Sequence, residues 1–430
     1  MKKILIIGGG LSGLSTALNL IDKDYSIEII ESSPKLGGRT YSFLNSETET
    51  IIDNGQHIMM GCYSHTLDFI EKINSQNSFI FQNSLSINYV TGDNNIYRLH
   101  SPEKFYPFNL LYSFFNFRLL SLKERKEVLK FLFRLKSIGK RIKNDHTVLQ
   151  ILRNEGQSNS TIKKFWEMVV ISAMNIPIKV ASAELFIEMI KIIFFSSEKS
   201  SNIILPKTDL SNALINPAER YILNKNGKIA KGERVLEIIW EKSKVVKVIT
   251  SKRIIEDFDY LISTVPADKL VRFLPFHLTQ KLNIPELNYS PIVSVNFWLK
   301  ENPLKEQFYG IIDGKFHWLF NKGTYISLLK SAADEMIILK KNELIETANS
   351  ELIKYFPILN NIEIISFKVI KERKATFISD TASVKKRKNL INNLGNLFIA
   401  GDWINTGLPS TIESSIKSGK MISEMIISST

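Results

Sequence analysis

Apolar residues are spaced in two ways along these 430 residues, and the changes between them mark the elements. The chain begins with a strand buried on both faces, Lys3-Ile4-Leu5-Ile6-Ile7. A glycine turn, Gly8-Gly9-Gly10-Leu11-Ser12-Gly13, leads into a helix with Leu11, Leu14, Ala17 and Leu18 on one face. A second strand, Ser26 to Ile30, closes at Glu31. Short strands with a Gly92-Asp93-Asn94-Asn95 turn are predicted between Ser78 and Leu99, and from Ser101 to Phe195 the spacing becomes helical. Pro217 is expected to open a further helix from its favoured first position. Strand patterns return from Gly227: a meander through Val235, Val245 and Ile255 closes at Thr264-Val265-Pro266. Further strands follow at Pro291–Leu299, Ile326–Leu329 and Ile364–Lys371, and a helix at Asn342–Phe356. The chain closes as it opened: the strand Asn396–Ala400, the turn Gly401-Asp402-Trp403, and a helix reaching about Ile426. Strands alternating with helices define an α/β protein, and this length points to two domains.

The glycine spacing carries the first chemistry. Gly8, Gly10 and Gly13 make a tight turn, let backbone N–H groups approach a pyrophosphate, and let the helix lie close to the strand. The helix N-terminus then faces the phosphate charge. Glu31 stands where an acid grips a ribose and argues against a 2′-phosphate. The alternative, a glycine turn that only packs helix on sheet, would not need that acid.

Composition narrows the classes. A hydrophobic fraction of 44% is ordinary for a folded globular chain. The net charge of +13 suits an anionic membrane surface, or only a lysine-rich composition. The basic residues gather into no nucleic-acid module, so no nucleic-acid partner is expected. With a strand starting almost at Met1, no signal peptide is expected; Cys62 stands alone and suits a reducing cytoplasm. No His/Cys/Asp cluster has metal-ligand spacing, so no metal is expected. Phe105, Tyr106, Phe108, Tyr112, Phe114, Phe115 and Phe117 crowd ahead of a basic helix from Leu122 to Ile142. That combination suits either docking at a bilayer interface or a helical cap with an aromatic core.

Several short motifs, in order, resemble the flavin-containing amine oxidase and phytoene desaturase superfamily. They are the glycine turn, Leu36-Gly37-Gly38-Arg39-Thr40, the meander, and Ala400-Gly401-Asp402-Trp403 with Thr406-Gly407-Leu408-Pro409. Asp53-Asn54-Gly55-Gln56-His57, Phe165-Trp166-Glu167, Ala173-Met174-Asn175 and Pro291-Ile292-Val293 are similar to one branch, the squalene-associated hydroxysqualene dehydroxylases. Ser414-Ser415 departs from a small glycine–alanine pair usual there. The resemblance implies a Rossmann-like FAD-binding domain from residues 1–75, 200–285 and 390–430. The interleaved substrate domain, 76–199 and 286–389, would be a mixed sheet with a helical insertion at 101–195.

It also implies residue roles. Gly8, Gly10, Ser12, Gly13, Ser32, Gly38, Arg39 and Thr40 would hold the FAD phosphates and their surroundings, and Glu31 the ribose. Val235 would meet the adenine, and Gly55 and Gln56 would lie at the flavin. Gly401 and Asp402 would lie at the pyrophosphate and ribityl chain, and the helix starting at Thr411-Ile412 would aim its positive end at the flavin ring. The implied reaction returns hydroxysqualene to squalene, so it needs a proton donor for the departing hydroxide. His57 is the first candidate and Glu167, in an apolar wall, the second. Trp166, Asn175 and Trp318 are the substrate-facing candidates. The implied partners are a hydrophobic isoprenoid substrate, an external reductant and the inner face of the cell membrane. Rival readings are a carotenoid desaturase or amine oxidase of the same superfamily. A non-enzymatic prenyl-lipid carrier resembling the GDP-dissociation inhibitors would not need Glu31, Arg39 and Asp402 together.

Overall fold

The computed structural model describes residues 1–103, 106, 108–142 and 146–429; Phe105 of the aromatic block lies outside them. Five parallel strands form the cofactor sheet, in the order Lys228–Lys231, Ser26–Glu31, Lys3–Ile7, Tyr260–Ser263 and Leu397–Ile399. Asn393–Leu394 adds an antiparallel edge. The opening strand is therefore central, which is why it is apolar on both faces. Ile4 and Ile6 pack beneath the first helix (Leu11–Ile21), the helix Asn216–Asn224 and the C-terminal helix (Ile412–Ser428). Leu5 and Ile7 face the other way, onto the meander of Val235–Glu241, Lys244–Thr250 and Ile254–Ile255.

The first and C-terminal helices meet along small residues. Ser12 Oγ donates to Ser415 O at 2.8 Å, and Ser15 Oγ to Ile416 O at 2.8 Å. A Cβ on Gly419 would lie 2.5 Å from Ser12 O. This contact brings both helix N-termini to one end of the sheet, at the C-terminal ends of its parallel strands.

A seven-stranded mixed sheet forms the second layer system. Its order is Ile364–Phe377, Tyr289–Leu299, Tyr325–Ser331, Trp318–Asn321, Phe308–Ile311, Ser86–Val90 and Ile96–His100. One face is closed by the helix Lys341–Tyr355 through Leu344, Ala348 and Leu352. The other, carrying Tyr89, Phe308, Trp318, Phe320 and Leu329, looks toward the helices between Asn109 and Phe195. The helix Leu122–Arg141 begins in a capping box, Ser121 with Glu124, and buries Val128, Phe131, Leu132, Leu135 and Ile138.

Two expectations change. The helical turn before Asn216 starts earlier than Pro217 predicts. Ser211–Ile215 is a π-helical segment running directly into Asn216–Asn224, and the wider π turn carries no proline signal at its start. The aromatic block divides by face. Phe114 and Phe117 are core, whereas Phe108, Tyr112 and Phe115 stand out at 65%, 57% and 65% exposure. Spacing of three to four residues along one short helix accounts for the split.

Candidate active site

The site begins at the glycine turn. Gly8 holds φ +107°, a conformation that side chains disfavour, and Gly13 admits no Cβ because one would lie 2.0 Å from Gly8 O. Gly10 caps the first helix without a side chain, leaving the helix N-terminus open to an anion. Glu31 folds back beneath the turn, where its Oε2 accepts from Gly9 N–H at 2.7 Å and its Oε1 from Ser33 N–H at 2.7 Å. Ser32 Oγ donates to Glu31 Oε1 at 3.2 Å. Glu233 N–H binds Glu31 O at 2.9 Å, which sets the start of the meander, and buried Val235, beside this acid. Ser12 departs from its expected role. Its hydroxyl is turned into the helix–helix contact, on Ser415 O and Ser418 Oγ, so only its backbone remains for a phosphate.

Arg39 and Asp402 meet at the centre, the guanidinium Nη2 on the buried carboxylate. Arg39 Nη1 also donates to Ala375 O at 3.1 Å. Burial works against the Arg39 charge, but Asp402 more than compensates and raises its pKa above the ordinary value. The second oxygen of Asp402 accepts from Ser410. Gly401, at φ +139°, makes the turn that brings Asp402 off the last strand. Beneath this loop lies Arg387, buried and without a carboxylate bonded to it. Its guanidinium donates to the carbonyls of Trp403, Ile404 and Leu408 at 3.1, 2.5 and 3.0 Å and also reaches that of Asp402. Thr411 Oγ1 caps the C-terminal helix by accepting from Ser414 N–H. Ser414 and Ser415, the departure from the family pair, are absorbed there. Ser414 Oγ meets Thr406 Oγ1 at 2.7 Å.

From Arg39, Thr40, Asp402, Thr411 and Ile412 a single cavity runs past Gly55, Gln56 and His57 into an apolar chamber. The whole holds about 1940 Å³ of empty space, its open mouth included. The space is continuous from the polar end at Arg39 and Asp402 to the apolar end at Phe165 and Trp318. Leu85, Ile87, Phe165, Ile193, Phe308 and Trp318 are among the chamber walls. Asp53 fixes the polar loop by accepting from Ser42 Oγ and Leu210 N–H, both at 2.8 Å. Asn54 donates to Arg39 O at 2.7 Å. Asn54 Oδ1 and Gln56 Oε1 are buried acceptors with no partner among the described residues. Such acceptors suit a cofactor with hydroxyl and ring N–H donors.

The expected proton donors fare differently. His57 lines the cavity, with Nδ1 2.9 Å from Gly55 O. Burial holds its pKa below the usual imidazole range, although Asp53 and that hydrogen bond pull the other way. A neutral ring whose one N–H points at Gly55 O leaves Nε2 as an acceptor. Burial thus favours the neutral ring, and the contact with Gly55 O favours the tautomer with its proton on Nδ1. Glu167 is a correction: it is exposed, with the charges of Lys163 and Asp313 nearby, and is not part of the cavity wall. Trp166 is another. It is fully buried, donates to Gln157 Oε1 at 2.7 Å and packs on Phe131, Phe165 and Phe186. The π-helical segment Ile162–Trp166 accounts for both, since its wide turn shifts the faces that regular helical spacing predicts. Asn175 and Trp318 do reach the cavity. Asn175 ends its helix at φ +53° and ties it to the sheet, donating to Thr376 Oγ1 at 2.9 Å and accepting from Ala332 N–H at 2.7 Å. Trp318 Nε1 donates to Ser172 Oγ at 3.0 Å. Among the described residues there is no group of three metal-binding side chains.

A glycine turn opening a helix, with the Arg39–Asp402 pair and a second helix start at the mouth of one cavity, is the arrangement of a flavin oxidoreductase. The family model for flavin containing amine oxidoreductases matches residues 11–427, and the chain belongs to that family. It is an FAD-dependent oxidoreductase. It is 23% identical over 427 residues to a hydroxysqualene dehydroxylase of Zymomonas mobilis, covering 98% of each chain. It is 20% identical to a zeta-carotene desaturase of Arabidopsis thaliana, covering 99% of this chain and 85% of that one. Among solved structures, cyclohexylamine oxidase from Brevibacterium oxydans shares the fold with a TM-score of 0.73 and 14% identity, covering 100% of this chain and 99% of that one.

Proposed function

We propose that this protein reduces hydroxysqualene to squalene, in squalene and hopanoid biosynthesis. The observation that carries the reading is the apolar chamber opening directly onto the flavin groove. Likeness along nearly the whole chain to a hydroxysqualene dehydroxylase supports it. Reduced FAD, when bound, supplies the hydride. Net, the allylic C–O bond would be replaced by C–H and the oxygen would leave as water, the two electrons coming from an external reductant by way of the flavin and the proton from solvent. The chain's own residues do the rest. The glycine turn and first helix hold the pyrophosphate, Arg39 and Asp402 the centre of the cofactor, and Asn54 and Gln56 take up its donors. The chamber walls exclude water, and the Trp318 face stands where developing allylic cation charge is attracted to a ring.

The substrate and product are too apolar to cross water, so the mouth is read as resting on the cytoplasmic face of the membrane. Phe114, on the inner side of the helix Asn109–Asn116, meets the cavity residues Phe165 and Phe194, while its outer side carries Phe108, Tyr112 and Phe115. Among the described residues no helix is long and apolar enough to cross a membrane, so the attachment would be peripheral.

Anaerobic mixing of photoreduced holoprotein with hydroxysqualene, and separately with phytoene, tests the reaction. Flavin reoxidation with squalene formation is expected with hydroxysqualene. No reoxidation with that substrate would sink the reading. The desaturase reading, supported by the zeta-carotene desaturase likeness, predicts instead that oxidised protein is bleached by a carotenoid precursor.

A further inference from the structure

Tyr89 is a polar group of the chamber wall that no hydrogen bond among the described residues uses. It sits on the strand Ser86–Val90, whose alternation turns Ile87 and Tyr89 into the chamber and Val90 into the opposite core. The residue is 5% exposed, and its hydroxyl, open to the chamber, has no hydrogen-bond partner among the described residues. Its ring is fixed from three sides. Phe117 and Trp318 lie 5.6 and 6.3 Å away, centroid to centroid. On the paired strand Gly310 lies directly against the ring, where a Cβ would come within 2.6 Å of Cδ1. Two polar groups near it are occupied. Ser172 sits between Met168 O and Trp318 Nε1, and Asn175 between Thr376, Ser290 and Ala332.

Phenylalanine would fill this position in a chamber meant only for hydrocarbon. A hydroxyl that opens onto an apolar chamber without a protein partner can be paired only by water or by a polar atom of the ligand, and a ligand that displaces water without pairing it loses affinity. We propose that Tyr89 holds the one polar oxygen of an otherwise hydrocarbon ligand, and so selects an isoprenoid alcohol over the matching hydrocarbon. Burial pushes the phenol pKa up, so Tyr89 keeps its proton and acts by hydrogen bonding. The identity of the ligand as an isoprenoid rests on the function proposed above; the hydrogen bond itself does not.

The test titrates holoprotein with farnesol and with β-farnesene, in wild type and Tyr89→Phe, following tryptophan fluorescence and flavin absorbance. Wild type is expected to prefer the alcohol. In Tyr89→Phe the farnesol Kd should rise about tenfold while the farnesene Kd stays within twofold, a selective loss that a packing defect would not give. Gly310→Ala, which displaces the ring, should lose the same preference. A wild type with no preference for the alcohol, or a Tyr89→Phe protein that keeps it, overturns the proposal. If the preference depends on Tyr89 but hydroxysqualene fails to reoxidise the flavin, the Tyr89 assignment stands and the proposed reaction falls.

Discussion

Gly419 offers a test in which two well-understood effects have opposite signs. It lies within the C-terminal helix, where alanine is intrinsically the better residue by roughly 0.5–1 kcal/mol. Helix propensity alone therefore predicts that Gly419→Ala stabilises. The structure predicts the reverse. The new Cβ would lie 2.5 Å from Ser12 O, 2.9 Å from Ser15 Cβ and 2.9 Å from Thr16 N, two of them backbone atoms of a helix that cannot yield by rotating a side chain. Relief requires the two helices to part by several tenths of an ångström, stretching Ser12 Oγ to Ser415 O and Ser15 Oγ to Ile416 O. Overpacking of this kind costs about 1–3 kcal/mol. Net of propensity, a loss of roughly 0–2.5 kcal/mol remains. Because both helices present their N-termini to the cofactor, FAD affinity should fall as well, by about threefold to tenfold. Urea melts of the apoprotein give the first quantity and flavin fluorescence titration the second. Gly92→Ala, which meets only the flexible Lys354 and the Tyr355 hydroxyl, is the control. A Gly419→Ala protein more stable than wild type would refute the helix-contact argument.

Three further outcomes follow from the geometry. Glu413 is buried and its carboxylate accepts from His65 N–H, Thr66 N–H and Thr66 Oγ1, capping the helix Ser64–Lys72. Glu413→Ala should cost about 2–4 kcal/mol in a urea melt, as a lost helix cap with charge-assisted bonds. His317 accepts from Ser331 N–H at Nδ1 and is held at a pKa of about 3 by burial and by Lys330, below its unfolded value of 6.5. The unfolded chain thus binds a proton the folded chain refuses, so stability falls as pH drops from 6.5 toward 3, by at most about 1.4 kcal/mol per unit and less for this partly covered ring. Melts at pH 7, 6 and 5 should show that slope reduced in His317→Gln. Finally, single-turnover flavin reoxidation in Glu167→Gln should match wild type, whereas Trp166→Phe should lower the melting temperature with little change in that rate; a rate fall above tenfold in Glu167→Gln would return this residue to the site.

The parts of the fold around the site that are most legible in sequence are those where backbone geometry dictates residue type. The glycine turn, the acid closing the second strand and the Gly401-Asp402 turn each leave a local signature, because a positive φ or a helix start cannot be met by arbitrary residues. Side chains acting across long separations left less. Arg387 binds carbonyls of the 402–408 loop after crossing into it from another helix, and nothing in Lys385-Lys386-Arg387-Lys388 distinguishes it from its solvated neighbours. Tyr89 could have been flagged by alternation, since it shares a face with Ile87, but its significance depends on Gly310 in a strand more than two hundred residues away. Phe165-Trp166-Glu167 points to the site only as a motif; Trp166, the last residue of the π segment, is core, and Glu167 beside it faces solvent.

The order of strands in the cofactor sheet also bears on how the molecule is made. Lys3–Ile7 is synthesised well before its partner on one side, Tyr260–Ser263, which follows only after all the helices between Asn109 and Phe195. Leu397–Ile399 and the helix that faces the first one come last. For most of translation a flat, apolar strand edge therefore stands open, the kind of surface on which chains pair with the wrong partner. Ribosome-bound chains halted before Leu397 should be captured by chaperones and be unable to retain FAD, and full-length yield should depend more on the supply of flavin during synthesis than after it.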